Sequence, residues 1–241
     1  MKKILLIMIF STTAFAQYHM QSSLSIKDGV KVADFEKAMK YHNTAHDNEL
    51  GAVNTFVVLN GPDVGQYVRT HQGVFPIPAD QLDAIYNAHS NHDPLPYDKW
   101  NDSMIVQESG TQFYTVIPDL SYNTQYKADY KYLTMSTFKV AQGGNSAVEA
   151  IFATMNEIRA ELGSEEHFVC MQMNTGGSFN EYVFITGHDT MSEILDQSAF
   201  YTALAVLNEK NPGWDVEWSK NVLGGYNQTM EFRPDLSTIL E

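Results

Sequence analysis

Two histidines four residues apart are the first candidates for chemistry in this chain. A helix through His42 and His46 would place both imidazoles on one side. Two imidazoles at this spacing can bind one metal ion, as helical histidine pairs do in zinc sites, but a third ligand is needed. The sequence therefore predicts a divalent-metal site with His92 as that ligand, and the other candidates are Asp47, Glu49, His71, His89 and Asp93.

The same histidines have two other interpretations. A neutral, buried histidine can act as a general base near neutral pH, and on this basis His42, His46 and His71 are predicted as catalytic acid–base groups. The polar segment 42–49 also fits a solvated helix end without chemistry. A match to a histidine spacing without its structural context is only a hypothesis, so these alternatives stay open.

A short predicted strand supplies the second candidate set. Tyr67, Arg69 and His71 alternate along segment 66–71 and therefore share one face of the strand. An arginine beside an aromatic ring can bind a carboxylate or an aromatic ligand, so Tyr67 and Arg69 are predicted as ligand-binding residues. The alternative is a polar sheet surface exposed to solvent, which antiparallel sheets readily tolerate.

The elements that must position these residues occur twice. Tyr67-Val68 returns as Tyr182-Val183, and Pro118-Asp119-Leu120-Ser121 returns as Pro234-Asp235-Leu236-Ser237, each about 115 residues later. Each half predicts strand, helix, strand, strand, helix and strand. In the first half the elements are 18–26, a helix from an Asp34 cap to Gly51, 55–59, 66–71, 79–88, and 104–106 with 113–117. In the second they are 132–140, a helix from a Ser146 cap to Gly163, 167–173, 181–186, 191–209 and 216–232.

This element order is the split-βαβ, ferredoxin-like plan, an α+β fold. The chain resembles the dimeric α/β-barrel superfamily in a tandem-duplicated, single-chain form, with two such units packed sheet to sheet. The predicted units are residues 17–120 and 132–241, joined by the linker 121–131. The resemblance implies a pocket between the sheet and its covering helices. It also implies activities such as cofactor-free monooxygenation or haem chemistry.

Comparison of the two halves points to the first as the site. His46 aligns with Ile158 and His42 with Thr154, so the first half has histidine where the second has an ordinary core residue. Haem enzymes of this kind need a proximal histidine in the second unit. The candidates there are His167, at a predicted strand start, and His188, in a predicted turn, so haem is less expected than a divalent metal or no cofactor.

The first sixteen residues read as a secretory signal. Lys2-Lys3 precedes an apolar run, and Ala14-Phe15-Ala16 is a small-x-small cleavage site, so we expect a periplasmic or secreted protein. The formal charge of −14 argues against nucleic acid or an anionic membrane as a partner. Cys170 is the only cysteine, so an internal disulfide is excluded. Its apolar neighbours predict a buried strand residue.

The leading functional prediction is an exported small-molecule-binding protein or a cofactor-poor enzyme, monooxygenase-like or metal-assisted, with its pocket in the first half. Association into homo-oligomers is compatible with this prediction. The alternative is a non-enzymatic structural or stress-related protein whose two halves cover each other's sheets. The fold cannot choose between them, because one fold hosts many functions.

Overall fold

The computed structural model describes residues 17–46, 52–71, 76–90, 105–106, 111–124, 130–178 and 180–238. The predicted signal segment lies outside them. The strands, in chain order β1 to β10, are Gln17–Ile26, Val53–Val58, Tyr67–His71, Ile77–Pro78, Ile105–Val106, Gln112–Val116, Tyr132–Val140, Val169–Thr175, Glu181–His188 and Val222–Phe232. The helices, α1 to α6, are Val32–Asn43, Leu82–Ser90, Asn145–Glu161, Met191–Leu195, Ser198–Lys210 and Trp214–Asn221. Three short 3₁₀ turns are Ala79–Gln81, Pro118–Leu120 and Pro234–Leu236.

Eight of these strands close an antiparallel barrel. Its order is β1, β3, β2, β10, β7, β9, β8, β6 and back to β1. The short strands β4 and β5 pair with β1. A closed barrel leaves no unpaired strand edge, and its strands present alternate residues to the interior and to the outside.

The two halves of the barrel pair their strands in the same register. In each half the second strand pairs with the third, the third with the first, and the first with the fourth. The corresponding pairs, first half then second, are Gln21–Thr70 with Met135–Ile185, Asn54–Thr70 with Val169–Ile185, and His19–Tyr114 with Leu133–Met230. The paired strand residues of one half therefore have structural counterparts in the other.

The core lies on both sides of the barrel wall. One cluster draws buried residues from seven of the eight barrel strands and can only lie inside; its members include Phe56, Val68, Val116, Met171, Val183 and Met230. On the outer face α1 packs Phe35 and Met39 against the first-half sheet. Helices α3 and α5 pack together over the second half through Met155 and Leu207. Among the helices of the described ranges, none is long and apolar enough to cross a membrane.

The repeated Pro-Asp-Leu-Ser segments each form hydrogen bonds with the opposite half. The Ser121 hydroxyl oxygen accepts the backbone N–H of Cys170 at 2.9 Å, although Ser121 follows the first half. The Ser237 hydroxyl oxygen accepts the backbone N–H of Thr55 at 2.9 Å, although Ser237 follows the second. Leu236 packs into the cluster beneath α1. Each segment therefore satisfies buried backbone of the opposite half, where an unpaired N–H would be costly.

Several predicted elements are confirmed. Strand β7 has the predicted bounds, β1 and β3 differ from theirs by one residue at the start, and Gly163 ends the α3 region with φ 62°. The cap predictions are wrong. Helix α1 follows Lys31, so Asp34 lies in its first turn, and Gly144 precedes α3, so Ser146 lies inside that helix.

The largest difference concerns the predicted last strand region, 216–232, whose strand begins only at Val222. Residues Trp214–Asn221 form α6, because Trp214 and Trp218 lie one turn apart and both pack on the cluster beneath α3. The predicted helix 191–209 is also divided into α4 and α5. Between them, the Asp196 carboxylate accepts the backbone N–H of Ser198, a local turn that competes with a continuous helix.

Candidate functional site

The end of α1 brings His42 and His46 together. Helix α1 ends at Asn43, so His46 lies beyond the helix rather than within it, which corrects the predicted helix up to Gly51. A tight turn continues the helical path, because the His46 N–H donates to the Asn43 carbonyl at 3.1 Å. The two Nε2 atoms are 3.0 Å apart and the rings meet at 72°. Both side chains are buried.

Arg69 lies on the face of β3 that meets α1. Its guanidinium Nη2 donates to the Asn43 side-chain oxygen at 2.6 Å. The amide nitrogen of Asn43 in turn donates to the Leu236 carbonyl in the C-terminal segment. Burial lowers the pKa of Arg69 to about 9, so the side chain is a cation at neutral pH, held inside the protein. The segment after the second half therefore orients a buried cation in the first.

His71 follows Arg69 on the same face of β3. The residue is 6% exposed, and within the described part of the chain neither ring nitrogen has a hydrogen-bond partner. Burial lowers the pKa of His71 to about 4, so the imidazole is neutral at pH 7. A buried polar group without a partner is costly, and a neutral imidazole offers one donor and one acceptor. His71 can therefore accept a proton or a hydrogen bond from a molecule placed beside it.

The Tyr67 hydroxyl forms a hydrogen bond within the protein. Its hydroxyl donates to Glu36 Oε1 at 2.8 Å, and Arg233 Nη1 donates to the same oxygen at 2.6 Å. The hydrogen bond from Arg233 lowers the pKa of Glu36. The second half repeats the contact, with the Tyr182 hydroxyl on Glu149 Oε1 at 2.5 Å. A contact repeated in both halves indicates a structural role for the tyrosine hydroxyl.

Other predicted residues fall outside the described chain. His92, Asp47, Glu49 and Asp93 lie in undescribed segments, as does the side chain of His89. Within the described ranges, no three histidine, cysteine, aspartate or glutamate side chains converge as a metal site. The predicted metal site is therefore represented by the His42–His46 pair alone. The expectation that Tyr67, Arg69 and His71 form an exposed sheet surface does not hold, because all three are buried.

The second half fills the equivalent space with apolar side chains. Phe184 stands where the first half has Arg69, and its ring packs on Phe152 at 4.5 Å. Ile158, aligned with His46, is buried in the cluster shared by α3 and α5. Cys170 is fully buried there, and burial raises the pKa of its thiol. Polar groups on the helix side of the sheet are therefore concentrated in the first half.

The two second-half histidines, His167 and His188, form hydrogen bonds with other protein groups. His167 Nε2 lies 2.9 Å from the Gly187 carbonyl oxygen, and its ring stacks on Tyr130. His188 Nε2 lies 3.1 Å from the Thr134 hydroxyl oxygen, and burial lowers the pKa of His188. In both residues the nitrogen that an axial haem ligand would normally use is engaged with protein atoms.

A group inside the barrel was missed from the sequence. His19 and Gln21 alternate with Met20 along β1. Both faces of β1 are buried, because one lines the barrel interior and the other faces the outer layer. Burial of both faces is typical of a closed barrel. Polar residues at alternate positions were the available signal, but in an open sheet they indicate solvent.

Comparison with known proteins shows similarity of fold only. No family model matches the sequence, and no curated protein matches it. A candidate monooxygenase from Fusobacterium nucleatum has a similar structure, with a TM-score of 0.60 and 10% identity over 91% of this chain and 93% of that one. The chain thus has an α+β fold around an eight-stranded antiparallel barrel, similar to dimeric α/β-barrel proteins.

Two weaker likenesses carry no weight for fold or function. A candidate monooxygenase from Lactobacillus acidophilus has a TM-score of 0.49 and 10% identity over 94% of this chain and all of that one. Chlorite dismutase from Candidatus Nitrospira defluvii also has a TM-score of 0.49, with 8% identity over 89% of this chain and 90% of that one.

Proposed function

We propose that this protein is an exported, cofactor-independent enzyme of the monooxygenase type. Its substrate, a small aromatic molecule with an acidic C–H or O–H group, would bind on the helix side of the first-half sheet. One observation carries the proposal: His71 is a buried, neutral imidazole whose two nitrogens have no hydrogen-bond partner within the described residues. Such a group is stabilised when a substrate supplies a hydrogen bond.

The neighbouring residues suit an anion formed from such a substrate. Arg69 is two residues from His71 on the same strand face, about 7 Å along the chain. Its cationic side chain would stabilise negative charge in a site of low dielectric constant, where electrostatic interactions are strong. An anion beside His71 would also raise the pKa of the imidazole, so proton transfer becomes more favourable once substrate is bound.

The reaction that fits these roles uses molecular oxygen as the oxidant. His71 accepts a proton from an acidic methylene, and the carbanion passes electrons to oxygen. One oxygen atom enters the product as a carbonyl, and the other leaves as water with the two substrate hydrogens. The overall change is therefore a methylene and O₂ to a carbonyl and H₂O, which balances without an added reductant. Positioning and proton transfer are the only tasks left to the protein.

An oxygen-electrode assay tests the proposal. The substrate is anthrone, whose methylene is acidified by two rings and a carbonyl, and the product is anthraquinone. We expect wild-type protein to consume oxygen, and His71→Thr to lower kcat/KM by about 100-fold or more. Threonine is the natural counterpart, Thr186, so the second half shows that this strand position accepts it.

His188→Thr is the matched control, because it removes a partly buried histidine from the other half. It should leave the rate unchanged. If wild-type protein neither consumes oxygen nor binds anthrone, the enzyme proposal fails in favour of the non-enzymatic alternative. An equal loss in both variants would also contradict the role given to His71.

We further infer that the chain is a tandem duplication of ferredoxin-like units with a single-chain barrel. The support is the matched strand order and pairing register of the two halves. The reciprocal Ser121 and Ser237 contacts agree with this origin. The duplication is the reason for using each residue's counterpart as a replacement in the variants.

A second candidate function, metal-assisted chemistry, is favoured by the histidine pair. Two nitrogens on a tetrahedral zinc ion, with bonds of 2.0–2.1 Å, are about 3.3 Å apart. The Nε2 atoms of His42 and His46 are 3.0 Å apart, which is close to that separation. The pair thus fits two ligands of a site that needs at least one more.

Metal analysis separates this candidate from the first. Purified protein would be dialysed against zinc and measured by mass spectrometry, beside a His42→Ala/His46→Ala variant. One equivalent of zinc in the wild type alone would support a metal site. Equal zinc in both proteins, or none in either, would exclude these histidines as its ligands.

A further inference from the structure

Each half joins one helix to a Pro-Asp-Leu-Ser segment through an asparagine side chain. Asn43, the last residue of α1, donates through its amide nitrogen to the Leu236 carbonyl. Asn156, in α3, donates through its amide nitrogen to the Ser121 carbonyl at 3.2 Å. The two asparagines therefore make the same kind of contact, one in each half.

Each asparagine also accepts a hydrogen bond from an arginine. Arg69 Nη2 donates to the Asn43 side-chain oxygen at 2.6 Å. Arg159 Nη1 donates to the Asn156 side-chain oxygen at 3.2 Å. We refer to each set of an arginine, an asparagine and a backbone carbonyl as an asparagine bridge. Because the amide nitrogen and the amide oxygen are both engaged, each asparagine is fixed in one orientation.

The second-half bridge takes its arginine from the helix itself. Arg159 lies in α3, and its Nε forms an ion pair with Glu166 at 2.9 Å. Its guanidinium also lies 4.9 Å from the centroid of the Phe168 ring. A carboxylate and an aromatic ring therefore hold this arginine in addition to Asn156, and its charge is compensated within the protein.

The first-half bridge takes its arginine from the sheet. Arg69 lies on the face of β3 that meets α1, at the position where the second half has Phe184. Burying a cation there is costly, because the guanidinium loses its water. The second half indicates that a helix arginine can complete the bridge and that an aromatic ring suits this strand position. A costly buried cation kept at such a position is typical of a functional site.

The carbonyl that holds Asn43 is itself fixed. Leu236 ends a 3₁₀ turn, and its N–H donates to the Arg233 carbonyl at 3.0 Å. The Leu236 carbonyl also accepts the Thr55 hydroxyl at 2.7 Å, and the leucine side chain is buried in the cluster beneath α1. Asn43 therefore directs its oxygen to Arg69 from a rigid support, as expected of a preorganised site.

We propose that Asn43 is a positioning residue of the site on the helix side of the first-half sheet, and that it directs the Arg69 guanidinium towards the anion formed beside His71. This inference rests on the proposed function. Because an amide carries no charge, Asn43 orients Arg69 without neutralising it, whereas a carboxylate in the same place would do both. Through the Leu236 carbonyl, the C-terminal segment becomes part of the site.

Asn43→Leu removes both hydrogen bonds of the first-half bridge, and Asn156→Leu is the matched control in the second half. Both variants should lower the urea midpoint of unfolding, because each removes hydrogen bonds from polar groups inside the protein. Only Asn43→Leu should lower kcat for anthrone oxidation, by about tenfold or more, since misplaced groups in a site have effects of this size. KM should change less, because Arg69 acts on an anion that forms after binding.

Asn43→Asp separates orientation from charge. It keeps an oxygen for Arg69 and places a negative charge beside the guanidinium. We expect Arg69 to keep its orientation and kcat still to fall by about tenfold or more, because the carboxylate competes with the anion for the cation. Since this variant retains a partner for Arg69, it also provides the test if Asn43→Leu does not fold.

The ¹⁵N signals of the Arg69 guanidinium report its orientation without any turnover. A guanidinium held by hydrogen bonds rotates slowly about its Cζ–Nε bond, so its Nη atoms give separate signals. We expect separate signals in the wild type and in Asn43→Asp, and one averaged signal in Asn43→Leu. Separate signals in Asn43→Leu would overturn the inference, because Arg69 would then be oriented without Asn43.

Three kinetic results would also overturn it. They are an unchanged kcat in Asn43→Leu, equal losses of kcat in Asn43→Leu and Asn156→Leu, and a full kcat in Asn43→Asp. Wild-type protein that oxidises no anthrone would instead refute the proposed function. The guanidinium signals would then still decide whether Asn43 orients Arg69, so the two proposals fail independently.

Discussion

Replacing His19 with leucine should make the stability of the protein less sensitive to acid. His19 is fully buried, and burial lowers its pKa from 6.5 to about 4. Between these two pH values, the imidazole is therefore protonated in the unfolded chain and neutral in the folded one. Stability is lost as the pH falls from about 6.5 towards 4, because protonation then favours the unfolded state. Leucine removes this titration, and its counterpart Leu133 shows that the interior accepts it.

The size of the effect follows from the two pKa values. A histidine with a pKa of 6.5 in the unfolded state and 4 in the folded state lowers the free energy of unfolding by about 2 kcal/mol as the pH falls from 7 to 5. Other groups that titrate, including the buried His71, remain in both proteins and cancel in the comparison. The decrease in the free energy of unfolding between pH 7 and pH 5 should therefore be about 2 kcal/mol larger in the wild type than in the variant.

Urea unfolding at pH 7 and pH 5, followed by circular dichroism, measures this difference. The comparison uses the change with pH, so any loss of the His19–Gln21 contact at pH 7 does not enter it. His188→Leu serves as a control, because His188 is only partly buried and should give a smaller change. Equal acid sensitivity in wild type and His19→Leu would refute the buried, neutral state assigned to His19.

Three further substitutions or measurements test the fold. Gly187→Ala should destabilise by about 2 kcal/mol or more in urea unfolding, because a Cβ there would lie 2.0 Å from the Tyr130 ring; an unchanged midpoint would contradict that packing. Ser237→Ala should cost about 1–3 kcal/mol, because the buried N–H of Thr55 loses its acceptor; a neutral result would contradict the role of the C-terminal segment. Cys170 should resist iodoacetamide until the protein unfolds, because burial raises the pKa of its thiol; rapid native labelling would show that it is accessible.

The repeated pattern made much of the barrel predictable. Tyr67 and Tyr182 mark equivalent strands, and both donate a hydroxyl to a glutamate of the preceding helix. Apolar alternation and β-branched residues placed strands such as β7 correctly, because these local signals agree with the tertiary structure there. The sequence also indicated the concentration of polar groups in the first half.

Tertiary contacts decided what the sequence left open. The indoles of Trp214 and Trp218 pack beneath α3, and this packing favours helix over strand in a segment with weak local preference. His46 contacts His42 through a turn after α1, which the spacing alone described as helix.

The burial of His19 and Gln21 inside the barrel could not be predicted from the sequence for a different reason. His19 and Gln21 alternate with apolar residues, a pattern that in an open sheet places them in water. Closure of the barrel buries both faces of β1, and closure depends on pairing between β6 and β8 and between β10 and β2. These pairs join residues more than fifty positions apart, beyond the reach of local periodicity.

We propose that a substrate binds beside His71 in the first half of the barrel. The most direct test of this proposal is an anaerobic titration of the wild-type protein with anthrone, observed through the imidazole ¹⁵N signals of the histidines. We expect His71, a neutral imidazole without a hydrogen-bond partner among the described residues, to become hydrogen-bonded or protonated as anthrone binds, while His188 is unaffected. Saturable binding that leaves the His71 signals unchanged would contradict it.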